Sequence, residues 1–526
     1  MVRAPQPGVV VKSVAKPIVA IAGASGFVGS QLIPKLRDDF HVFGLTRTAP
    51  PASSSDAGCD FRACDLFSST STHAALACVD IAVYLVHSMM PSSRLFQGDF
   101  HDTDLLLADN FAKACTHAGV KRIIYLGGLV PGTGYVSPHL QSRLEVEGVL
   151  QSSGIPVTCL RAGMVVGPGG SSFEILRALV MRLPWMVLPK WTRSSGQAVF
   201  IDDVLSVLKA AVVDPAFAGR TFDLVNGESL TYEDLLRQTA AALGKKRYMF
   251  PVPIASTGFS KRWVQLFSGS SHELISPLID SLQCDLPQLE PAPEIKPFIR
   301  YPTYASMVTE TLKRSEGNTR RASAKRARDE HSTVRSIQRL PPMPDDDAEF
   351  ISNAYMDWLP QLFRTIIRVG RVDGTPPRVI FSLAFLKRPL LVLEFIDQGA
   401  DRARDKFHIV GGILSKTTTT GWLEFRQVAH RRYTLAAIHG FVPALPWILY
   451  IFSQAPVHAW VMHAFGRHLM RLKARRKKAL ELVSALRPEG PTGPEGPTGP
   501  EEDPTGPTKT SDALAEERSA ASNVET

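Results

Sequence analysis

Cysteine pairs are missing from this sequence, and their absence narrows the chemistry. The chain has six cysteines in 526 residues, and none of them lies in a Cys-x-x-Cys pair. That spacing is typical of structural zinc sites and redox centres, so we predict no metal site and expect buried, reduced thiols. Reduced thiols favour a reducing compartment, and we predict a cytoplasmic protein. The six residues are Cys59, Cys64, Cys78, Cys115, Cys159 and Cys284.

Signals for nucleic-acid binding and for secretion are also missing. No zinc-finger, homeodomain or RNA-recognition pattern occurs, and a net charge of +9 is small for this length, so we predict no nucleic-acid partner. Residues 1–15 contain neither a long apolar core nor a clear cleavage site, which predicts a disordered lead and no signal peptide. A Pro- and Gly-rich repeat opens residues 486–526, and such low complexity predicts a disordered tail.

An apolar run followed by three glycines is the most informative stretch of the chain. Residues 18–22 predict a buried parallel strand, and helical spacing of apolar residues begins soon afterwards. The free N–H groups and the dipole of a helix start suit a pyrophosphate. Gly23 permits the tight turn, Gly26 lets the backbone approach the phosphates, and Gly29 lets the helix lie close to the strand. The stretch therefore predicts a dinucleotide-binding site.

Strand and helix patterns alternate over residues 16–246. This alternation predicts an α/β fold, a doubly wound Rossmann parallel sheet with right-handed crossovers. Ligands of such sheets lie at the carboxyl ends of the strands, so residues there are candidates for cofactor binding. After the first strand, we predict strands over residues 41–47, 61–65, 80–87, 121–128 and 156–162.

Two strand ends bear on the choice of cofactor. The second strand ends in Thr46-Arg47, where an NAD-selective chain usually places an acid. A guanidinium at Arg47 matches a 2′-phosphate, so NADP is favoured over NAD, although a solvated Arg47 would leave NAD open. Asp65 ends the third strand, where a carboxylate can accept a hydrogen bond from an adenine amino group. A helix N-cap is the alternative for Asp65.

Several motifs together resemble the extended and atypical short-chain dehydrogenase/reductase superfamily, closest to its NmrA-like and complex I 39-kDa-subunit-like branch. They are GASGFVG at 23–29, KRIIYLGGL at 121–129, HLQSRLEVE at 139–147, PVTCLRAG at 156–163 and IDDV at 201–204. The resemblance covers roughly residues 16–245. It implies an NAD(P)H-binding, reductase-like protein that acts on a hydrophobic carbonyl or alkene. The predicted cofactor-binding residues are Gly23, Ser25, Gly26, Phe27, Gly29, Arg47, Asp65, Leu66, Val86, His87 and Arg143.

The catalytic positions that this resemblance implies are occupied by unusual residues. Catalytic members place a Tyr, and a Lys four residues later, at the start of the helix after the fifth strand. Here His139 and Arg143 stand at those positions, and the strand ends in Gly127 and Gly128 without a hydroxyl. His139 could transfer a proton, whereas Arg143 could hold a ribose but not act as a base. The alternatives are a plain capping role for this helix start, and a non-catalytic nucleotide-binding sensor or assembly factor.

A second folded region follows the first. Residues 247–312 predict a helical substrate or lid segment, and residues 313–335 a basic linker. Residues 336–485 resemble the DUF2867 type of domain, a relative of the START/SRPBCC helix-grip fold. The resemblance implies a curved antiparallel sheet that grips a long helix around an apolar cavity, and a lipid or isoprenoid carrier is a third functional alternative. We predict a helix over residues 348–369 and several strands after it.

Residues 433–466 contain no Lys, Arg, Asp or Glu. The run is long enough to span a bilayer, but three prolines interrupt it, so a buried or interfacial helix and a transmembrane span both stay open. A basic cluster follows at residues 471–478. We predict that membrane association, if it occurs, uses residues 433–478. The oligomeric state is left open.

Overall fold

The computed structural model describes residues 16–47, 59–88, 95–132, 134–253, 265, 276, 279–316, 333–364, 366–397, 401–416 and 421–485. The predictions for the lead, for the tail, and for most of 254–278 and 317–332 lie outside these residues. Residues Met1–Arg471 belong to one compact unit, and Leu472–Thr526 to a second unit, of which residues 472–485 are described and helical.

Twenty strands are described. In chain order they are β1 Ile18–Ala22, β2 His41–Thr46, β3 Cys59–Ala63, β4 Ile81–Tyr84, β5 Leu95–Gln97, β6 Arg122–Gly128, β7 Val157–Ala162, β8 Met164–Val166, β9 Trp185–Leu188, β10 Ser195–Phe200, β11 Thr221–Leu224, β12 Ser229–Thr231, β13 Tyr248–Pro251, β14 Val334–Leu340, β15 Ile367–Val372, β16 Arg378–Leu383, β17 Leu391–Ile396, β18 Arg404–Gly411, β19 Trp422–Val428 and β20 Tyr433–Phe441.

The described α-helices alternate with strands in the first half of the chain. They are α1 Gly29–Leu36, α2 Ser69–Leu76, α3 Phe100–Ala118, α4 Pro138–Gln151, α5 Ser171–Arg182, α6 Ile201–Val213, α7 Tyr232–Ala242, α8 Tyr304–Glu316, α9 Ala348–Leu362, α10 Trp447–Phe452 and α11 Gln454–Ala485. Local sequence sets several of their ends. Gly119 closes α3 in the left-handed conformation, and Thr231 with Asp234 forms the capping box of α7.

The first sheet has seven strands in the order β11-β7-β6-β4-β1-β2-β3, and every pair is parallel. Strand β1, which lies inside the sheet between β4 and β2, is buried almost throughout, as its continuous apolar sequence predicts. Apolar side chains on both faces of the sheet form two large core clusters with the flanking helices. The prediction of a doubly wound α/β fold is confirmed.

The second sheet has eight strands in the order β15-β16-β17-β18-β19-β20-β14-β5. All its pairs are antiparallel except the edge pair β14–β5. Helices α9 and α11 lie against it, and Phe465 of α11 contacts the rings of Tyr355, Trp358 and Phe425. The apolar spacing of this helix predicts core positions at Trp358, Leu359, Leu362 and Phe363. Trp358 and Leu359 are buried, and Leu362 and Phe363 are half-buried. The START/SRPBCC and DUF2867 assignment stays a prediction.

Three sequence boundaries are corrected. The helix predicted over residues 348–369 stops at Leu362, and β15 begins at Ile367 because the antiparallel partner β16 supplies hydrogen bonds that local propensity does not reveal. The predicted linker 313–335 begins within α8 and ends within β14. Strand β5, which falls in the predicted first domain, pairs with the second sheet. Three residues are too few to show a periodic signal.

The uncharged run at residues 433–466 is not one helix. Its first nine residues form β20, which pairs with β19 and β14, and α10 and the start of α11 follow. The transmembrane alternative for this run is wrong, since a strand inside a sheet occupies its first part. None of the helices in the described part of the chain combines the length and the apolar character that crossing a bilayer needs.

Charged side chains join the second sheet to helices of the first. Arg426 of β19 is fully buried and donates to Asp109 of α3 at 2.9 Å. Arg339 of β14 donates to Asp102 of α3 at 2.7 Å and to Glu145 of α4 at 3.1 and 2.8 Å. One guanidinium thus bridges the two helices that carry the candidate site.

Candidate functional site

The glycine stretch forms the sharp turn that its sequence predicts. Gly23 has φ of +88°, and the Gly26 N–H donates to the Gly23 carbonyl at 2.9 Å. A Cβ on Gly29 would lie 2.3 Å from that same carbonyl oxygen. Helix α1 therefore starts directly against the turn, and only glycines permit this geometry. The cradle that results fits a dinucleotide pyrophosphate.

A groove of about 400 Å³ lies over this turn. Ser25, Gly26 and Phe27 line it on one side, and Gly169 and Arg314 line it on another. Arg314 donates to Asp202 at 3.0 and 2.8 Å, and these bonds raise the pKa of its guanidinium. Sequence reasoning missed Arg314, because it lies in a stretch that was interpreted as a linker.

The residues predicted around the adenine and ribose lie at the strand ends. Arg47 is exposed just after β2. Asp65 accepts from Arg335 at 2.9 Å, so a residue of the second sheet already contacts its carboxylate. The N-cap alternative for Asp65 is wrong, since Ser68 caps α2 and accepts from the Ser71 N–H. Leu66 is buried, and its carbonyl accepts from Asn110. Cofactor contacts by these residues stay predictions.

A buried charge cluster lies beyond the end of β4. Its centre is Asp104 of α3, which forms an ion pair with Arg143 of α4 at 2.5 Å. His87 Nδ1 lies 2.9 Å from Asp104 Oδ2 and also contacts the Arg143 guanidinium. Ser88 and Ser142 add hydroxyl contacts to the same carboxylate at 2.7 and 3.3 Å. We call these five residues the site cluster.

Electrostatics keep the site cluster in defined charge states. Burial alone would raise the pKa of Asp104, but Arg143 and His87 outweigh it and hold that pKa well below the usual value. Burial and the Arg143 charge lower the pKa of His87. At neutral pH the cluster therefore holds an ionised carboxylate, a charged guanidinium and a neutral imidazole. Among the described residues, nothing hydrogen-bonds Nε2 of His87 or Nε of Arg143.

His139 lies beside the site cluster at the start of α4. The helix is capped as its sequence predicts, with Ser137 at the N-cap and Pro138 in the first turn. The ring centroids of His139 and His87 are 4.9 Å apart. Burial, followed by His87 and Arg143, lowers the pKa of His139 well below the usual value, so its imidazole is neutral at pH 7. Its Nδ1 has no hydrogen-bond partner within the described part of the chain.

A largely apolar cavity of about 220 Å³ opens next to His139. Gly128 at the end of β6 and Gly163 after β7 form part of its wall, and Gln197 and Thr192 add polar groups. Apolar side chains from α5, β9 and α7, mostly leucines, line much of the remainder. Residues of the predicted lid segment also line it, namely Ile279, Ser281, Leu282 and Leu286. The cavity suits a compact hydrophobic molecule with one or two polar groups.

The structure brings several predicted residues together. His87, His139 and Arg143 form one contiguous group, and Val86 precedes it at the end of β4. Tyr125 and Tyr135 do not join the group as catalytic residues: Tyr125 is buried with its hydroxyl on the Arg143 carbonyl at 3.0 Å, and the ring of Tyr135 is exposed. Asp104 was missed. The sequence did contain a signal for it: Asp104 stands at a position of α3 where the helical spacing predicts a buried apolar residue. A carboxylate buried there requires a charged or hydrogen-bonding partner.

Residues 23–178 match a family described as NAD(P)H-binding. This part of the chain is an NAD(P)H-binding domain. The match covers the glycine turn, the site cluster and the first part of the cavity wall. Of the predicted cysteine thiols, five are buried and Cys78 is exposed, and all six are free.

Three proteins are similar to parts of the chain. The auxiliary protein GraX of Staphylococcus aureus is 30% identical over 133 residues, which are 25% of this chain and 42% of GraX, so the match spans less than half of that relative. A UDP-glucose 4-epimerase of Vibrio cholerae is 22% identical over 293 residues, 51% of this chain and 87% of the epimerase. The structure of Citrobacter sp. triphenylmethane reductase complexed with NADP(H) has a TM-score of 0.45 and 20% identity, and covers 56% of this chain and 99% of its own.

Proposed function

We propose that the protein is an NADP(H)-dependent reductase for a hydrophobic carbonyl or alkene substrate in the cytoplasm. The observation that carries the proposal is the apolar cavity of about 220 Å³ whose wall includes His139 and the Gly128 end of β6. Ligands of doubly wound sheets lie at this edge, so the cavity is where a substrate would meet the nicotinamide end of a cofactor. The bound cofactor would supply the hydride.

The residues of the chain would bind the cofactor, orient the substrate and exclude water. The turn at Gly23, Gly26 and Gly29 holds the pyrophosphate, and Arg47 pairs with a 2′-phosphate. The neutral imidazole of His139 can donate a hydrogen bond to a substrate oxygen at the cavity wall. Asp104 keeps Arg143 in place, and the open Nε–H of Arg143 is the donor that remains for a ribose hydroxyl. The apolar wall excludes water from the substrate.

Calorimetric titration with NADPH and NADH tests the cofactor part. We expect tighter binding of NADPH in the wild type, and Arg47→Glu to weaken NADPH binding by about tenfold or more while NADH changes little. The matched control is Lys245→Glu, an exposed basic residue after α7. Binding of neither nucleotide would overturn the proposal, and tighter binding of NADH would overturn the assignment to Arg47 alone.

Steady-state NADPH oxidation with a panel of hydrophobic aldehydes, ketones and enones tests the catalytic part. We expect His139→Ala to lower the rate by about 100-fold, the usual scale for losing a positioned acid–base group. His117→Ala, in a histidine pair on α2 and α3 away from the site, should leave the rate unchanged. Equal rates for His139→Ala and wild type would remove His139 from the mechanism.

A second candidate is nucleotide binding without turnover, as in a sensor or assembly factor. Its support is specific: Gly127 and Gly128 supply no hydroxyl, and Arg143 is committed to the buried Asp104. Micromolar binding of NADPH with no oxidation of it by any member of the panel would favour this candidate. A lipid or isoprenoid carrier is a third candidate. It rests on a separate cavity of about 190 Å³ between the second sheet, α9 and α11.

A further inference from the structure

One end of the second sheet gathers segments that are far apart in sequence. The residue after β16 joins the residue before β15, since the Ala384 N–H donates to the Ile366 carbonyl at 2.9 Å. The segment after β18 joins the start of β17 through the Leu414 N–H and the Leu390 carbonyl at 3.1 Å. The segment after β20 continues the row, since the Ala444 N–H donates to the Leu414 carbonyl at 3.1 Å. These segments therefore share one edge of the fold.

Large apolar side chains point into solvent along this edge. We call the set the apolar end, and define it as Phe385, Leu386, Ile413, Ile448, Leu449 and Phe452. Phe452 is 81% exposed, Phe385 74% and Ile448 70%. Exposed large apolar side chains gathered at one end of a sheet are a feature of surfaces that become covered.

Helix α10 shows that the exposure follows a pattern. The side chain of Tyr450 is buried and contacts the rings of Phe441 and Trp447. Ile448 and Phe452 are four residues apart and lie on the helical face opposite Tyr450, and both are exposed. Leu449, next to Ile448, is exposed as well. A short helix that anchors itself through one aromatic residue and presents three apolar side chains outward has the character of an interfacial helix.

Basic side chains surround the apolar end. Lys387 and Arg388 directly follow Leu386, and Lys416 lies three residues after Ile413, and all three are exposed. The segments that meet at this edge, residues 361–369, 384–390, 411–416 and 442–460, contain no Asp or Glu in the sequence. This end of the sheet thus combines exposed apolar side chains with basic side chains and no acidic ones.

We propose that the apolar end docks on the surface of a bilayer that contains anionic lipids. Hydrocarbon enters the boundary between headgroups and acyl chains, and each Lys or Arg near the surface gains from the negative potential of the leaflet. A second copy of the chain is a poorer partner, because a symmetric contact would bring Lys387, Arg388 and Lys416 of both copies together. The surface is independent of the nucleotide site, and so is the test of it.

Sedimentation of the full chain with vesicles tests the proposal. We expect binding to vesicles of phosphatidylcholine with phosphatidylglycerol. Binding to phosphatidylcholine alone should be weaker by a factor of about ten or more. The double variant Ile448→Ser/Phe452→Ser should lose binding to both, and Lys387→Glu/Arg388→Glu should lose the preference for anionic vesicles. Both variants change exposed residues, and unchanged thermal unfolding verifies that they fold.

Matched controls distinguish binding through the apolar end from nonspecific binding through any exposed apolar or basic side chain. Trp185→Ser removes a side chain that is 62% exposed on β9, and Lys245→Glu/Lys246→Glu reverses an exposed basic pair after α7. Both should bind vesicles as the wild type does. Wild type that stays in the supernatant with both kinds of vesicle overturns the proposal. So does equal loss of binding in the controls. A dimer in sedimentation velocity that only Ile448→Ser/Phe452→Ser dissociates would assign the surface to a second copy and overturn it too.

Discussion

Two of the three buried carboxylates on helix α3 belong to different clusters. Asp104 belongs to the site cluster and lies beside a cavity, whereas Asp109 faces the second sheet and meets Arg426 at 2.9 Å. We call the second cluster the interface cluster, and define it as Asp109, Glu424, Arg404 and Arg426. In it, Glu424 also accepts from Arg404 at 2.9 and 2.7 Å and from Arg426. Both clusters pair a buried acid with a buried arginine.

The two clusters differ in which buried side-chain atoms lack a hydrogen-bond partner. The site cluster leaves Nε2 of its neutral His87 and Nε of Arg143 without hydrogen-bond partners among the described residues, whereas the interface cluster leaves Nε of Arg426 unpaired there. The interface cluster is built around arginines, which stay charged at any accessible pH, and Asn110 and Ser69 supply further contacts. Burial alone would raise the pKa of Glu424, but the two arginines lower it to about 2. We infer that the first cluster is shaped for a ligand and the second for holding two sheets together.

The largest expected effect comes from Glu424→Gln. The change leaves Arg404 and Arg426 buried without their shared acid, so the free energy of unfolding should fall by about 3–5 kcal/mol. Urea unfolding measures it. Glu394→Gln, which removes a more exposed pair with Arg378, should cost no more than about 1 kcal/mol. NADPH affinity should be unchanged in the protein that remains folded, and a large loss of affinity would contradict the division between the clusters.

Asp104→Asn should have the next largest effect. One arginine loses its counter-charge instead of two, so we expect a loss of about 3 kcal/mol in the free energy of unfolding. Unlike Glu424→Gln, this variant should also weaken NADPH binding, because Arg143 and His87 lose their common partner. Urea unfolding and calorimetry on the same samples measure both quantities. Full NADPH affinity in Asp104→Asn would show that the site cluster is purely structural.

Acid should affect the site cluster before the interface cluster. The pKa values of His87 and His139 lie below 6.5 in the folded state, so the unfolded chain binds protons more readily. Their contribution to stability is present above pH 6.5 and is lost as the pH falls below that value. Glu424 has a pKa of about 2 in the folded state against 4.5, so its contribution is lost only as the pH falls from about 4.5 towards 2.

The histidine contribution can be isolated by a variant. Between pH 7 and about pH 5, His139→Gln should reduce the fall in unfolding free energy by about 1–2 kcal/mol. Urea midpoints across this range measure the slope. An exposed histidine supplies the control: His463→Gln on α11 should leave the slope as in the wild type. An unchanged slope in His139→Gln would mean that this imidazole does not stay neutral by burial.

The smallest expected effect is at Arg339, which bridges helices α3 and α4. Arg339→Lys keeps the charge but cannot reach Asp102 and both oxygens of Glu145 together, so we expect a loss of about 1 kcal/mol. Arg371→Lys, in an exposed pair with Asp357, should change stability by less than that. Equal effects in the two variants would show that Arg339 behaves as a surface residue.

Much of the first sheet could be predicted because its signals are local. The run at β1, the glycine turn and the alternation with helices each arise within a few tens of residues, and their predicted bounds differ from those observed by a few residues. The second sheet was predicted less well. Strands β15 and β16 are stabilised by pairing with each other, and β5 pairs with a strand more than 200 residues later in the chain. Such pairing leaves no local signal in the sequence.

The candidate site divides in the same way. The glycines were found from their spacing after an apolar strand, and His139 and Arg143 from the resemblance of the surrounding motifs to a known superfamily. Asp104, Ser142 and Arg314 were missed because their importance comes from contacts across the fold. The apolar end was predicted only in part. Ile448, Leu449 and Phe452 lie in the region expected to mediate any membrane association, whereas Phe385, Leu386 and Ile413 come from two other stretches of the chain.

The sequence alone determined the parallel α/β sheet and the glycine turn, because strand burial and the steric freedom of glycine act over short distances. Only the tertiary structure decided which acid pairs with Arg143 and which secondary structure residues 433–466 adopt. It also decided at which end of the second sheet the exposed apolar side chains gather. Those outcomes depend on pairing and burial between distant segments. A buried charge takes the partner that the fold places beside it, and the spacing of residues along the chain does not encode that partner.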